Sequence, residues 1–323
     1  MGEEYPGPLG EPGFAAGVEA REEGAGGLLV RQMDEVDLER ILDLRAVVRW
    51  SADPDAFGLL RGMRDARWAV AEAVGGGEFG IVGMVGAVPL GPVGILCHLA
   101  VHDAYRRAGV GARLARWAVT YLRSRGAGLV RLDSTAEAER LYLGMGFEAT
   151  QRRTVYRLED SDWGRVGEVS DRSGDYLVST LNIGDLPEVY GLDRWSFGGD
   201  RSALILAAIR LHPGRGLIVR DVSGRIKGYL VRSVAGGETR LGPFLAEGDG
   251  AAGVLLGSAL GAVRGAGGWP VEITSAAPPG GPGHGFLEGF GFTGSPDRLR
   301  MELGPQPESR GLAQYGTTPY LAT

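Results

Sequence analysis

Apolar positions along the chain change their spacing several times, and each change marks an element. From Val110 onward, Val110, Leu114, Trp117, Ala118 and Tyr121 recur at the spacing of one helix face. Just before them, Cys97 to Val101 is a short apolar run, followed by the polar pair His102-Asp103 and the segment Arg106-Arg107-Ala108-Gly109-Val110-Gly111. The pattern predicts strand, loop and helix over 97–122, and the surrounding elements are organised about this stretch.

Strands are predicted at 28–31, 67–74, 79–88, 93–101 and 129–133, with Pro89 to Pro92 as a turn. Asp34 is placed to cap a helix carrying Val36, Leu38, Ile41, Leu42 and Leu44, which stops at Trp50 to Pro54. A helix over 136–144 ends at Gly144 and Gly146, and 150–158 alternates as a closing strand. A second run follows, with helices at 185–195, 200–211 and 250–264 and strands at 216–222, 226–234, 239–246, 270–274 and 298–303. The order of the first run returns in the second, a duplication at the level of the fold. The expected class is α/β, each half a mostly antiparallel mixed sheet with helices on both faces. The expected boundaries are a disordered Gly/Pro-rich tail at 1–27, a domain at 28–158, a linker at 159–175, a second domain at 176–304 and a tail at 305–323.

Composition narrows the picture. The net charge of −6 is concentrated in residues 1–27, which hold six glutamates and one arginine, so neither a nucleic-acid nor a membrane partner is implied. Cys97 is the only cysteine, which rules out an internal disulfide and fits a cytoplasmic location. There is no basic start followed by an apolar run, so no secretory signal is expected. Assembly state stays open, a homodimer included.

The chemistry suggested by 97–122 is anion binding. A glycine-bearing bend entering a helix leaves backbone N–H groups unpaired at the positive end of the helix dipole, and such a spot suits a phosphate. Arg106 and Arg107 add charge, and Gly109 and Gly111 let the backbone approach a bulky anion. A structural turn with solvated arginines is the alternative. Gly111 is followed by Ala112-Arg113, which excludes the nucleotide P-loop, and two glycines fall short of the dinucleotide fingerprint.

The segment resembles the acyl-CoA loop of the GCN5-related N-acetyltransferases, Arg/Gln-x-x-Gly-x-Gly/Ala, with Arg106, Gly109 and Gly111 matching in order. A second element, Leu141-Tyr142 with Gly146-Phe147, is similar to the family's Leu-Tyr-x-x-x-Gly-Phe in the same relative place. The resemblance implies acetyl-CoA as co-substrate, no metal, and an amine acceptor, either a small molecule or a peptide. It implies that Arg106, Arg107, Ala108, Gly109, Val110, Gly111 and Ala112 hold the diphosphate. By the same resemblance the strand at 93–101 splays from that at 129–133, so that Leu99, Ala100 and Val101 bind the pantetheine arm. Ser134 and Thr135 would line the opposite wall, and Tyr142 would protonate the departing thiolate. Some relatives carry a Glu or His base where Ile95 and Cys97 stand here, so the base is open. His98 is a candidate only if a bulge turns it, and Cys97 reads as a small buried hydrophobe. Trp50 could line the acceptor pocket or belong to the core.

The second half replaces the arginines of the loop with Glu247 and Asp249 and the tyrosine with Leu287. Asp193-Arg-Trp-Ser-Phe-Gly-Gly-Asp-Arg201, Leu241-Gly-Pro-Phe-Leu-Ala246 and Arg300-Met-Glu-Leu-Gly304 resemble the degenerate C-terminal domain of bacterial tandem members of the family. Two other functions stay open beside direct acetyl transfer: a non-catalytic acyl-CoA sensor, and an enzyme similar to mycothiol synthase.

Overall fold

The runs 81–90 and 93–101 are apolar at nearly every position because helices cover both faces of the strands they form. The computed structural model describes residues 22–24, 27–48, 54–73, 80–166, 172–211, 213–235, 237–275, 282–307 and 313–317. The first half comprises β1 (Glu22–Gly24), β2 (Leu28–Gln32), α1 (Leu38–Val47), α2 (Pro54–Arg61), β3 (Arg67–Ala73), β4 (Ile81–Leu90), β5 (Val93–Val101), α3 (Val110–Ser124), β6 (Leu129–Ser134), α4 (Glu139–Leu143) and β7 (Glu148–Leu158). The second comprises β8 (Arg172–Ser173), β9 (Tyr176–Thr180), α5 (Leu186–Phe197), α6 (Ser202–Leu211), β10 (Gly216–Asp221), β11 (Ile226–Ala235), β12 (Glu238–Ala246), α7 (Gly248–Ala266), β13 (Val271–Ser275), α8 (Pro282–Gly289), β14 (Thr293–Leu303) and β15 (Ala313–Gly316).

All of these strands belong to one mixed sheet, in the order β1-β2-β3-β4-β5-β6-β14-β7-β13-β12-β11-β10-β9-β8, with β15 paired to β12. The two closing strands are exchanged. β14 lies between β6 and β7, antiparallel to both, with Met301 opposite Leu132 on one side and Ala149 on the other. β7 in turn pairs with β13 of the second half, Val271 opposite Leu158. One face of the sheet is covered by α1, α2, α5 and α6, whose side chains form a core running through both halves. The other face carries α3 over the first half and α7 over the second.

Several expectations need correcting. Pro54 does not merely stop a helix: it opens α2, where a proline's missing N–H is harmless, and α2 buries Phe57 and Leu60. The far end of the expected tail, Glu22–Gly24, pairs with β2. The expected linker holds a 3-10 segment over Asp160–Arg165 and the short strand β8, and the strand β9 was not anticipated. The C-terminal tail, for which packing against the core is one expectation, contributes β15 on β12. Residues 1–21 and Trp50 lie outside the described residues.

Without β14, the ladder edges of β6 and β7 that face it would both be bare. A chain ending after Val166 is therefore expected to give no cooperative urea transition by far-UV circular dichroism, whereas the full chain gives one.

Candidate active site

The site begins with a strand pair that fails to stay together. β5 and β6 run parallel, but only Val93–Leu129, Gly94–Val130 and Ile95–Arg131 pair. Beyond them the β6-facing edge of residues 96–101 carries no ladder bond among the described residues, so the predicted splay is present. On its other side β5 pairs with β4 through a register shift, Met84 opposite Ala100 but Gly86 opposite Cys97. The bulge is centred on His98, whose φ of 51° is unusual for a residue with a side chain. Gly86 makes room for it, since a Cβ there would sit 2.7 Å from the Trp68 ring and 2.9 Å from Cys97 Sγ.

The bulge turns His98 onto the α1–α2 face. Its ring is buried near Trp68 and Phe57, and its Nδ1 accepts from Arg45 Nη1 at 3.0 Å. Accepting at Nδ1 places the ring proton on Nε2, so neither nitrogen of that tautomer offers a spare lone pair. Cys97 is fully buried, and burial pushes its thiol up to about 12, which keeps it protonated.

At the wide end of the gap the chain passes through a short 3-10 turn, Asp103–Tyr105, and enters α3. Arg107 and Gly109 take left-handed backbone angles, φ 63° and 78°, and Gly109 caps the helix. Among the described residues the amides of Arg107 to Ala112 make no backbone hydrogen bond. They lie at the positive end of a fifteen-residue helix. The space a Gly109 side chain would enter is open. A Cβ on Gly111 would lie 3.4 Å from Leu141, 3.8 Å from Val101 and 3.9 Å from Leu99. The bend, the parted strand and α4 therefore meet at Gly111. Arg106 is half exposed and shared between Asp103 at 2.9 Å and Glu137 at 3.6 Å, so its charge is already engaged, which leaves the main-chain amides and the exposed Arg107 side chain as donors for an anion.

On the other wall Ser134 is buried and donates to the Thr135 carbonyl at 2.8 Å, while Thr135 is exposed. Tyr142 is buried in the α3-side core, its ring 5.6 Å from that of Phe147. Burial, with a smaller effect from nearby Cys97, pushes its phenol well above the usual range. The free amides, the open space at Gly109 and a phenol that keeps its proton fit a diphosphate with a thioester arm laid along the gap.

The second half repeats the shape and fills it. β12 and β13 also pair in parallel only briefly, Thr239–Val271 and Arg240–Glu272. Here β15 enters the opening, pairing with Phe244 to Ala246, while the Thr317 amide donates to the Thr274 carbonyl. Tyr315 Oη donates to Asp249 in the first turn of α7 at 2.6 Å, and Leu287 is fully buried at the place of the tyrosine. Gly146 and Gly291 keep matching φ values of 86° and 87°. Among the described residues no cluster of His, Cys, Asp or Glu is arranged to hold a metal, and no helix is long and apolar enough to cross a membrane.

Because Tyr142 keeps its proton in the fold and loses it near pH 10 when unfolded, its contribution to stability is fully present below about pH 10 and declines as the pH rises further, by at most about 1.4 kcal/mol per unit. Urea midpoints measured from about pH 9 to 11 should fall less steeply for Tyr142→Phe than for wild type.

Residues 21–147 match the model of the acetyltransferase (GNAT) family. No curated protein matches the chain. Among solved structures, an acetyltransferase candidate of Pyrococcus horikoshii superposes with a TM-score of 0.73 at 19% identity, covering 94% of this chain and 98% of its own. A GCN5-related N-acetyltransferase of Sphaerobacter thermophilus gives 0.63 at 17%, covering 90% and 98%. A tandem GNAT protein from the clavulanic acid biosynthesis pathway gives 0.65 at 17%, covering 86% and 99%. The parted strands, the amide-lined bend and the repeated architecture agree with these likenesses: residues 21–147 belong to the acetyltransferase (GNAT) family, and the chain as a whole has a tandem GNAT fold.

Proposed function

We propose that the first half binds acetyl-CoA and transfers its acetyl group directly to a primary amine. The observation that carries this reading is the gap between β5 and β6, which no strand among the described residues fills, with free amides at its wide end and the protonated phenol of Tyr142 on the neighbouring helix. The amides of residues 107–112 hold the diphosphate, and the bare edge of Leu99 to Val101 bonds the pantetheine arm and polarises the carbonyl. As the amine nitrogen bonds to the acetyl carbon the C–S bond breaks, Tyr142 gives its proton to the departing sulfur, and the proton lost by the nitrogen passes to solvent, from which the phenolate is re-protonated. Ser134 and Thr135 line the facing wall. The second half, its own opening filled by β15, completes the fold and one side of the acceptor cleft.

A non-catalytic acyl-CoA sensor is the second reading, favoured by one observation: the imidazole on the parted strand is tied to Arg45 and is poorly placed to accept a proton.

Calorimetry with acetyl-CoA, followed by acetyl transfer to a panel of amines, separates these readings. Wild type should bind and turn over, and Tyr142→Phe should lower kcat by about 10²-fold with acetyl-CoA affinity kept. Gly109→Val, which forces a branched side chain into a left-handed position facing the anion, should weaken acetyl-CoA binding. Binding without transfer to any amine would favour the sensor, and absence of binding by wild type would remove both readings.

A further inference from the structure

A recess opens on the α5 side of the sheet at the narrow end of the gap, where Ile95 and Arg131 form the last pair joining β5 to β6. Its inner end, about 20 Å³, leads into a cleft of about 630 Å³, the two sharing Arg131, Phe197, Arg300 and Gln314 as walls. Strand exchange assembles it: β6 brings Arg131 and Asp133, β14 brings Arg300, and β7 brings Arg153.

The charges there do not balance. Glu302 takes Arg131 Nε at 2.5 Å. Asp193 takes Arg201 at 2.5 and 3.1 Å and also accepts from the Tyr229 hydroxyl. Asp133 takes Arg300 through two bonds, at 2.7 and 3.0 Å. Arg153 reaches Asp133 with Nε alone, at 3.2 Å, and that carboxylate already serves Arg300. Among the described residues, the four guanidinium groups at the inner end thus share three carboxylates, and the exposed Arg152 adds a further cation at the outer cleft. Arg153 is 0% exposed, and its Nη1 and Nη2 have no hydrogen-bond partner among the described residues. A cation fully withdrawn from water with both terminal nitrogens unmet is costly. An apolar side chain would fill the same volume more cheaply, so a purely structural role accounts poorly for it. The outer edge of a guanidinium offers two parallel N–H donors, the geometry that grips a carboxylate.

We propose that Arg153 anchors a carboxylate carried by the acetyl acceptor, which makes the acceptor class a small amino acid-like molecule bearing both an amine and a carboxylate. This rests on the acetyl-transfer reading above, and places the acceptor's carboxylate at the narrow end of the gap, with its amine toward the parted strands. A planar two-oxygen carboxylate matches the one free edge of the Arg153 guanidinium.

Two measurements test it, one independent of activity. In thermal melts at constant ionic strength, acetate or propionate should raise the wild-type melting temperature saturably, and inorganic phosphate should do so less. Arg153→Met should lose that response and, freed of the surplus charge, melt above wild type without added anion. Arg153→Lys keeps the charge without the fork and should respond weakly, its acetyl-CoA binding reporting that it is folded. In the transfer assay, an amino acid should be preferred over its amide by at least about a hundredfold in kcat/KM, a preference lost in the Arg153 variants mainly through KM. Absence of acetyl-CoA binding by wild type would overturn the enzyme reading while leaving the melts to judge the carboxylate socket. Wild type indifferent to carboxylates, phosphate stabilising in their place, or Arg153→Met melting below wild type would each overturn the socket.

Discussion

The structure turns on a parallel strand pair that is allowed to pair for only three residues. An unpaired edge inside a large sheet leaves backbone donors and acceptors without partners where water is scarce, and buried groups of that kind are almost always satisfied by something. Both halves of this chain contain such an opening, and they deal with it differently. Between β12 and β13 the chain supplies its own β15, with Tyr315 bonded to Asp249 at the helix end. Between β5 and β6 no described protein segment enters, and the amides at the start of α3 stay available. The two openings share a shape, and the contrast lies in whether a strand among the described residues enters them.

Exchange of β7 and β14 makes the halves interdependent. The sheet of the first half is completed by a strand from the far end of the chain, and the α5 face of the recess is lined by Phe197, whose ring lies under the guanidinium groups of Arg131 and Arg201 at 5.3 and 4.2 Å. The second half, with Glu247 and Asp249 at the matching loop and β15 in its opening, thus contributes through what it builds around its neighbour. The architecture repeats, and strand exchange joins the two halves along a sheet whose α1–α2–α5–α6 face carries one core running through both.

Local patterns in the sequence carried the elements that rest on local physics. The α3 face, the bend at Gly109 and the paired strands 81–90 and 93–101 follow from periodicity and from glycines where the backbone needs positive φ. The strand exchange could not be read that way, because nothing in 148–158 or 293–303 says which neighbour will pair with either. Pro54 was ambiguous between stopping one helix and opening the next, and only the buried Phe57 and Leu60 resolve it. His98 depended on a bulge that alternation cannot foresee. Arg153 was hidden most thoroughly. In Gln151-Arg152-Arg153-Thr154 it looks like a solvated strand charge, and it becomes a wholly buried cation only because β14 and the second half close over it. The one available hint was an arginine pair in a closing strand followed by apolar alternation.

The position of the gap relative to its two positive ends carries a mechanistic consequence. β5 runs from the narrow end at Ile95 to the wide end at Val101, a span of roughly 20 Å at the rise of an extended strand. At the wide end are the α3 amides and the positive helix end, and toward the narrow end Ile95 and Arg131 share a recess with Arg153, which reaches Asp133 two residues past that last pair. If the bend holds the diphosphate and Arg153 the acceptor's carboxylate, as proposed, the uncharged, reacting portions of the two anions are directed toward each other beside the bare edge of Leu99 to Val101. Orientation of this kind can supply several kcal/mol of a bimolecular barrier, and it requires no further contact with the reacting atoms. On the proposed reading the buried arginine and the glycine bend would act together, the positive charges setting the direction in which the reactants lie and the parted strands leaving the edge between them bare.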